Sequence, residues 1–160
     1  MANNGTKRNN YLAVDSTHRT NPDLHQQPVF QSLTAEINRG AATFLISLGC
    51  NNDYIQKLGI TNMWANISYP GDFVGPHIHS NSVLSGVYYV KKFPGSKIRF
   101  YKNIYSMIHI EAVRNDLSYA TCDYDCDPGR LLLWQSDVLH GTDQQTGDEK
   151  IAVSFNIGFT

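Results

Sequence analysis

The sequence predicts a mainly β domain, a sandwich or barrel with helices packed on its outside. Apolar residues recur at spacings of three and four from Val29 to Leu48, which is typical of one helical face. A second short helix is expected over Asp53–Leu58, so that residues 29–58 form a helical layer. About eight short runs rich in β-branched and aromatic residues then follow over 62–159, with turn signals between them.

We expect a single domain over residues 1–160, because this length supports one core. The polar stretch 1–10 is expected to be flexible. The clearest strand is Leu84–Lys91, and a turn at Pro94-Gly95 predicts that it forms a hairpin with Lys97–Tyr101.

Composition limits the classes of function. Lys plus Arg number 13 and Asp plus Glu 14, so the formal net charge is −1 and nothing favours a nucleic-acid partner. No apolar run is long enough to span a membrane, and the polar start has no signal-peptide core. The odd set of cysteines, Cys50, Cys122 and Cys126, predicts reduced thiols in a cytoplasm.

Three histidines mark a candidate metal site. His77 and His79 are two residues apart, so in a strand both side chains can point the same way. His140 follows the apolar run Leu131–Trp134. Two histidines from one segment and a third from a distant strand are typical of a mononuclear metal site inside a β-barrel. Imidazole suits iron, zinc, copper and nickel, so the ligands alone do not name the metal. The alternative is that His77 and His79 are close by chance and His140 is an ordinary loop residue.

Several short motifs occur together between Met63 and Phe159. They are Trp64-Ala65-Asn66, Gly71, His77-Ile78-His79, Leu84 to Tyr89, Pro128 to Leu131, His140 and Ser154-Phe155-Asn156. Together they resemble the 2-oxoglutarate- and Fe(II)-dependent oxygenases of marine bacteria and their phages, which belong to the prolyl-hydroxylase-like superfamily. The resemblance implies a double-stranded β-helix, the jelly-roll fold of cupins. It also implies an oxidoreductase, a dioxygenase whose cofactors are non-heme Fe(II) and 2-oxoglutarate.

Carried over by position, the resemblance implies roles for seven residues. His77 and His79 would be the first two metal ligands and His140 the distal one, with no catalytic residue beyond these ligands. Lys150, ten residues after His140, stands where the family holds the distal carboxylate of 2-oxoglutarate, although arginine is commoner there. Further candidates for contacting the cosubstrate are Ser154, Tyr88 and Asn66.

His79 departs from the family pattern, which usually has Asp or Glu at this position. Three neutral histidines leave the Fe(II) site one negative charge short. Either His79 is the third ligand or a nearby carboxylate such as Asp72 substitutes for it. We favour His79 because it occupies the family's ligand position.

The resemblance predicts a hydroxylase whose prime substrate is left open. Two alternatives remain: a three-histidine cupin dioxygenase that works without 2-oxoglutarate, and a non-enzymatic, metal-stabilised binding module. Lys150 favours the 2-oxoglutarate-dependent hydroxylase over the cupin dioxygenase, because a plain cupin does not need this lysine. The expected partners are the small-molecule cosubstrate and O2. No association with a membrane is expected, and whether the chain forms a homo-oligomer is left open. The expected location is the cytoplasm, that of the host if the chain is phage-encoded.

Overall fold

A computed structural model describes residues 14–102 and 120–160. The residues expected to be flexible, 1–10, lie outside these ranges. The described strands are β1 (Asp15–Ser16), β2 (Leu58–Ser68), β3 (Val74–His77), β4 (Leu84–Lys91), β5 (Lys97–Tyr101), β6 (Thr121–Asp125), β7 (Leu131–Gln135), β8 (His140–Thr142) and β9 (Lys150–Phe159). The helices are α1 (Gln31–Ser47) and α2 (Asn52–Ile55), preceded by two 3-10 turns, Leu24–Gln26 and Pro28–Phe30.

The strands form two antiparallel sheets. The larger has the order β1-β2-β9-β4-β7 and the smaller the order β3-β8-β5-β6. Side chains from both sheets line a single cavity, so the sheets are two walls of one structure. Five of the seven pairs of neighbouring described strands join strands that are not consecutive in the chain, as in a jelly roll, and the predicted fold class is confirmed.

Helix α1 covers the outer face of the larger sheet. Its buried residues Ile37, Ala41 and Leu45 are spaced four apart, which places them on one side of the helix. They pack against a cluster of sheet residues that includes Met63 and Phe155. Burying one such large apolar side chain contributes about 1.5–3 kcal/mol. The helical layer therefore holds the outer face of the sheet, and the inner face is left for the cavity.

The boundary between helices and strands differs from the expected one. The second helix ends at Ile55, and β2 already begins at Leu58, four residues before the predicted start at 62. The reason is the length of the partner strand, because Leu58 pairs with Phe159 at the end of β9. Among the described residues, no helix has the length and hydropathy to cross a bilayer. The three cysteines are free thiols, as predicted.

The predicted hairpin between β4 and β5 does not form. Strand β4 pairs with β7 and β9, whereas β5 lies in the other sheet and pairs with β6 and β8. A turn does follow β4, with Ser96 N–H donating to the carbonyl of the buried Phe93. Anchored by that ring, the chain crosses from one sheet to the other instead of folding back on itself. The turn was predicted correctly, and its pairing was wrong.

Candidate metal centre

The pairing of β3 with β8 brings the three histidines together. His77 ends β3 and lies directly opposite His140, the first residue of β8. His79 follows two residues after the end of β3. Its backbone N–H donates to the backbone carbonyl of Ser136, which lies directly after β7. One ring nitrogen from each histidine lies within 4.8 Å of the others. Nε2 of His79 and Nε2 of His140 lie 3.3 Å apart.

These separations fit one metal ion. Two imidazole nitrogens at roughly 2.1 Å from an ion and at right angles to each other lie about 3.0 Å apart. The observed 3.3 Å between His79 and His140 is close to that value. The ring centroid of His77 lies 4.3 Å from that of His140 and 4.9 Å from that of His79. The donor set is all nitrogen, which suits Fe(II), Ni(II), Cu(II) and Zn(II).

Two of the three rings are held in the form that a metal requires. Nδ1 of His77 lies 2.9 Å from the carbonyl of Gly75, and Nδ1 of His140 lies 2.9 Å from the carbonyl of Val138. A carbonyl can only accept, so each Nδ1 carries the proton and each Nε2 keeps a free lone pair. No equivalent acceptor contacts Nδ1 of His79 in the described parts of the chain.

Burial favours the neutral form of two of the histidines, His79 and His140. Desolvation lowers the pKa of His140 to about 3, against a smaller opposing effect of the Val138 carbonyl. It also lowers the pKa of His79 to about 4, helped by the neighbouring His77 and His18. A histidine must be unprotonated to bind a metal, so both side chains are ready to do so without losing a proton.

Asp72, the alternative third ligand, does not join the cluster. It is only 1% exposed, and its carboxylate accepts a hydrogen bond from the Tyr69 N–H at 2.8 Å within the turn after β2. The backbone carbonyl of Asp72 also accepts from Gln145 N–H. The structure therefore brings His79, and not Asp72, to the other two histidines.

A cavity of about 100 Å³ extends from the histidines to Lys150. Lys150 opens β9, is 5% exposed, and shares the cavity face of that strand with Ala152 and Ser154. Burial lowers the pKa of the Lys150 ammonium, while the nearby Cys126 has a smaller opposite effect. Among residues 14–102 and 120–160, no carboxylate forms an ion pair with it.

Polar groups line the wall of the cavity between these two ends. The Nδ2 group of Asn66 donates to the hydroxyl of Ser154 at 3.0 Å, across the pairing of β2 with β9. Among the described residues, neither Oδ1, the other amide atom of Asn66, nor Nε1 of Trp134 has a hydrogen-bond partner, and both atoms are buried. Both residues line the cavity, so these atoms offer an acceptor and a donor to a bound molecule.

Comparison with known proteins identifies the family. A family model described as "Putative 2OG-Fe(II) oxygenase" matches residues 62–156, more than half of the chain. The chain belongs to the 2OG-Fe(II) oxygenase family. This confirms the predicted family and enzyme class, and the cofactors of the family are Fe(II) and 2-oxoglutarate. A search of curated proteins found no match.

Solved structures share the fold of this oxygenase at low sequence identity. A Pseudomonas putida prolyl-4-hydroxylase has a TM-score of 0.60 at 15% identity, with 92% of this chain and 71% of that chain covered. HygX from Streptomyces hygroscopicus with nickel and 2-oxoglutarate bound has a TM-score of 0.59 at 15% identity, covering 92% and 70%. A 2OG-Fe(II) oxygenase family oxidoreductase from Burkholderia pseudomallei has a TM-score of 0.50 at 11% identity, covering 63% and 44%. The chain thus spans less than half the length of this last protein.

The structure corrects one predicted cosubstrate contact of the oxygenase. Tyr88 lies on the outer face of β4, where it packs against the cluster under α1. Its neighbour Tyr89 lines the cavity instead and is 2% exposed. Alternation along β4 separates Tyr88 from Tyr89, but it does not say which face turns inward. The partner residues do, because Val87 and Tyr89 pack with Ile98 of the smaller sheet.

Proposed function

We propose that His77, His79 and His140 hold Fe(II) and that Lys150 binds the distal carboxylate of 2-oxoglutarate. The observation that carries this proposal is the position of Lys150, a buried ammonium at the far end of the cavity that the three histidines close. No carboxylate among the described residues pairs with this ammonium. Burying an unpaired cation costs several kcal/mol, and an anionic ligand would offset that cost.

Charge favours a dianionic cosubstrate. Three neutral histidines leave the two positive charges of the metal uncompensated, and Lys150 adds a third positive charge to the same cavity. A dicarboxylate that spans from the metal to Lys150 would neutralise two of these three charges. Asn66 and Ser154 lie between the two ends, where a hydrogen-bonded pair can orient the bound molecule.

The proposed reaction is hydroxylation of a C–H bond in a prime substrate. Bound Fe(II), together with O2 and 2-oxoglutarate, would supply the oxidation chemistry. The chain's own residues position and shield the site. Carbonyls orient the rings of His77 and His140, and the Trp134 ring packs edge-on against His140 at 4.7 Å. This aromatic wall excludes water from one side of the metal ligands.

A three-histidine dioxygenase without 2-oxoglutarate remains a second candidate, because the donor set contains no carboxylate. Anaerobic calorimetry separates the two functions. We expect Fe(II) to bind with a stoichiometry of one and 2-oxoglutarate to bind only to the Fe(II)-loaded protein. Succinate should then be released when O2 is admitted. Fe(II) binding without 2-oxoglutarate binding would favour the second candidate, and no Fe(II) binding would favour a binding module.

A further inference from the structure

Three buried polar side chains form a network at the opposite end of the larger sheet's inner face from Lys150. Ser85 on β4, Ser136 after β7 and Asn156 on β9 are 0%, 2% and 6% exposed. The hydroxyl of Ser85 lies 2.8 Å from that of Ser136 and donates to Oδ1 of Asn156 at 2.8 Å. Because the single Ser85 proton is used in that bond, the hydroxyl of Ser136 must donate to Ser85. The direction of each bond is therefore fixed.

This network is connected to the segment that carries His79. The backbone N–H of His79 donates to the carbonyl of Ser136 at 2.9 Å, and the N–H of Ser136 donates to the carbonyl of Val83 at 3.1 Å. Ser136 thus joins the start of the loop after His79 to its end. Its own side chain is held by Ser85, which in turn is held by Asn156.

His79 depends on such a contact more than the other two histidines do. The rings of His77 and His140 are each oriented by a backbone carbonyl that accepts from Nδ1. In the described structure, no acceptor orients the ring of His79 in this way. The position of its ring is therefore set by the position of its backbone and by packing near Trp64.

We propose that Ser85, Ser136 and Asn156 are positioning residues that fix His79 for metal binding. This inference rests on the proposed metal site. A cluster of apolar side chains would fill the same volume, but directional hydrogen bonds fix one arrangement of β4, β9 and the turn after β7. None of the three side chains would touch the metal, and they act on it through the backbone of His79.

The first test is the Ser85→Ala variant, titrated with Co(II) alone. The substitution removes both hydrogen bonds of the network and keeps the backbone pairing of β4. We expect Co(II) affinity to fall about tenfold, the lower end of the effect of removing groups that orient metal ligands. Ser96→Ala is the matched control. Ser96 is also a buried serine, but no described residue hydrogen-bonds its hydroxyl, and it lies in the turn between β4 and β5.

The second readout is the NMR spectrum of the Co(II)-loaded protein, in which ring protons of ligating histidines are shifted by the paramagnetic ion. The shifted proton signals of the His79 ring are identified by their loss in His79→Ala. In Ser85→Ala we expect the His79 ring signals to broaden or shift, while the ring signals of His77 and His140 are unchanged. Ser136→Ala should have the same effect and serves as the second variant if Ser85→Ala does not fold.

The outcomes distinguish the inference from the proposed function. If the wild type binds Co(II) and both serine variants match it in affinity and spectrum, the positioning role is refuted and the metal site stands. If the ring signals of all three histidines shift together, the network supports the fold in general and the specific link to His79 is wrong. If the wild type binds no Co(II), the proposed metal site itself fails.

Discussion

The Nε2 atoms of His79 and His140 lie 3.3 Å apart although 61 residues separate the two histidines in the chain. Their rings are nearly parallel, with an interplanar angle of 9°. Nδ1 of His140 already donates to Val138, so Nε2 of His140 presents a lone pair. A second lone pair at this distance would be repulsive, and either a proton on His79 or a shared cation resolves it. The arrangement is therefore suited to an ion between the two rings.

The three proposed ligands should not contribute equally to metal affinity. We expect His140→Ala to abolish Fe(II) binding, because the variant loses a buried ring that a carbonyl holds in the binding tautomer. His79→Ala should retain weak binding, because no comparable contact orients its ring. Anaerobic Fe(II) titration measures the difference, and circular dichroism checks that both variants are folded. Equal losses in the two variants would contradict this ranking.

Gly141, next to His140, should be required for the metal site. A Cβ atom added there would lie 2.7 Å from the Val74 carbonyl oxygen, so Gly141→Ala must push β8 away from β3. Overpacking of this kind costs about 1–3 kcal/mol of stability. Because the two strands carry His77 and His140, Fe(II) affinity should fall as well.

Gly95→Ala provides the control for this prediction. Gly95 has a φ of 82°, and its added Cβ would contact nothing within 4 Å. That substitution should therefore lower the melting temperature through backbone strain without changing Fe(II) affinity. The explanation fails if the two variants bind Fe(II) equally well.

The sequence predicts the strands better than it predicts their partners. The predicted bounds of β4 and β5 agree residue for residue with the observed strands, because β-forming runs and turn residues are local signals. The pairing of β4 with β7 and β9 involves residues far apart in the chain, so the expected hairpin was wrong.

The same distinction applies to the site. The histidines and Lys150 were found because their spacing matches a family pattern, and the structure brings the histidines together at one end of a cavity and Lys150 to the other. The sequence prediction named Tyr88 and did not include Tyr89, because alternation defines two faces of β4 without saying which face is inside. Ser85 and Asn156 lie within motifs of the family resemblance, but their hydrogen bonds could not be predicted because they join residues 51 and 71 positions apart.

The correction from Tyr88 to Tyr89 can be tested with two phenylalanine variants. Tyr89→Phe removes the hydroxyl of a residue that lines the cavity, and we expect 2-oxoglutarate binding to weaken by about 1.5–3 kcal/mol, the range for a hydrogen bond to a charged group. Tyr88→Phe changes the outer face of the same strand and should leave binding unchanged. Calorimetry with Fe(II)-loaded protein measures both. A larger effect of Tyr88→Phe would restore the original assignment.

Lys150 should account for most of the discrimination in favour of a dicarboxylate. Lys150→Ala is expected to weaken 2-oxoglutarate by about 1.5–3 kcal/mol, the range for a hydrogen bond to a charged group. Lys91→Ala is the matched control, because Lys91 lies on the neighbouring strand but is exposed and pairs with Glu149. Fe(II) affinity should be unchanged in both variants. Identical 2-oxoglutarate affinities in the two variants would remove Lys150 from the cosubstrate site.

The same lysine should lower the stability of the protein when no ligand is bound. Its ammonium is buried and has no ion-pair partner in the described residues, and burial lowers its pKa because the charged form is the costly one. Lys150→Met keeps the length of the side chain and removes the charge. We therefore expect Lys150→Met to raise the free energy of unfolding of the ligand-free protein and to lose 2-oxoglutarate binding.

Urea unfolding with and without Fe(II) and 2-oxoglutarate measures both effects. In wild type the ligands should stabilise the fold, and in Lys150→Met adding 2-oxoglutarate to the Fe(II)-loaded protein should add nothing. A variant less stable than wild type without ligand would show that Lys150 is retained for the fold and not for an anion.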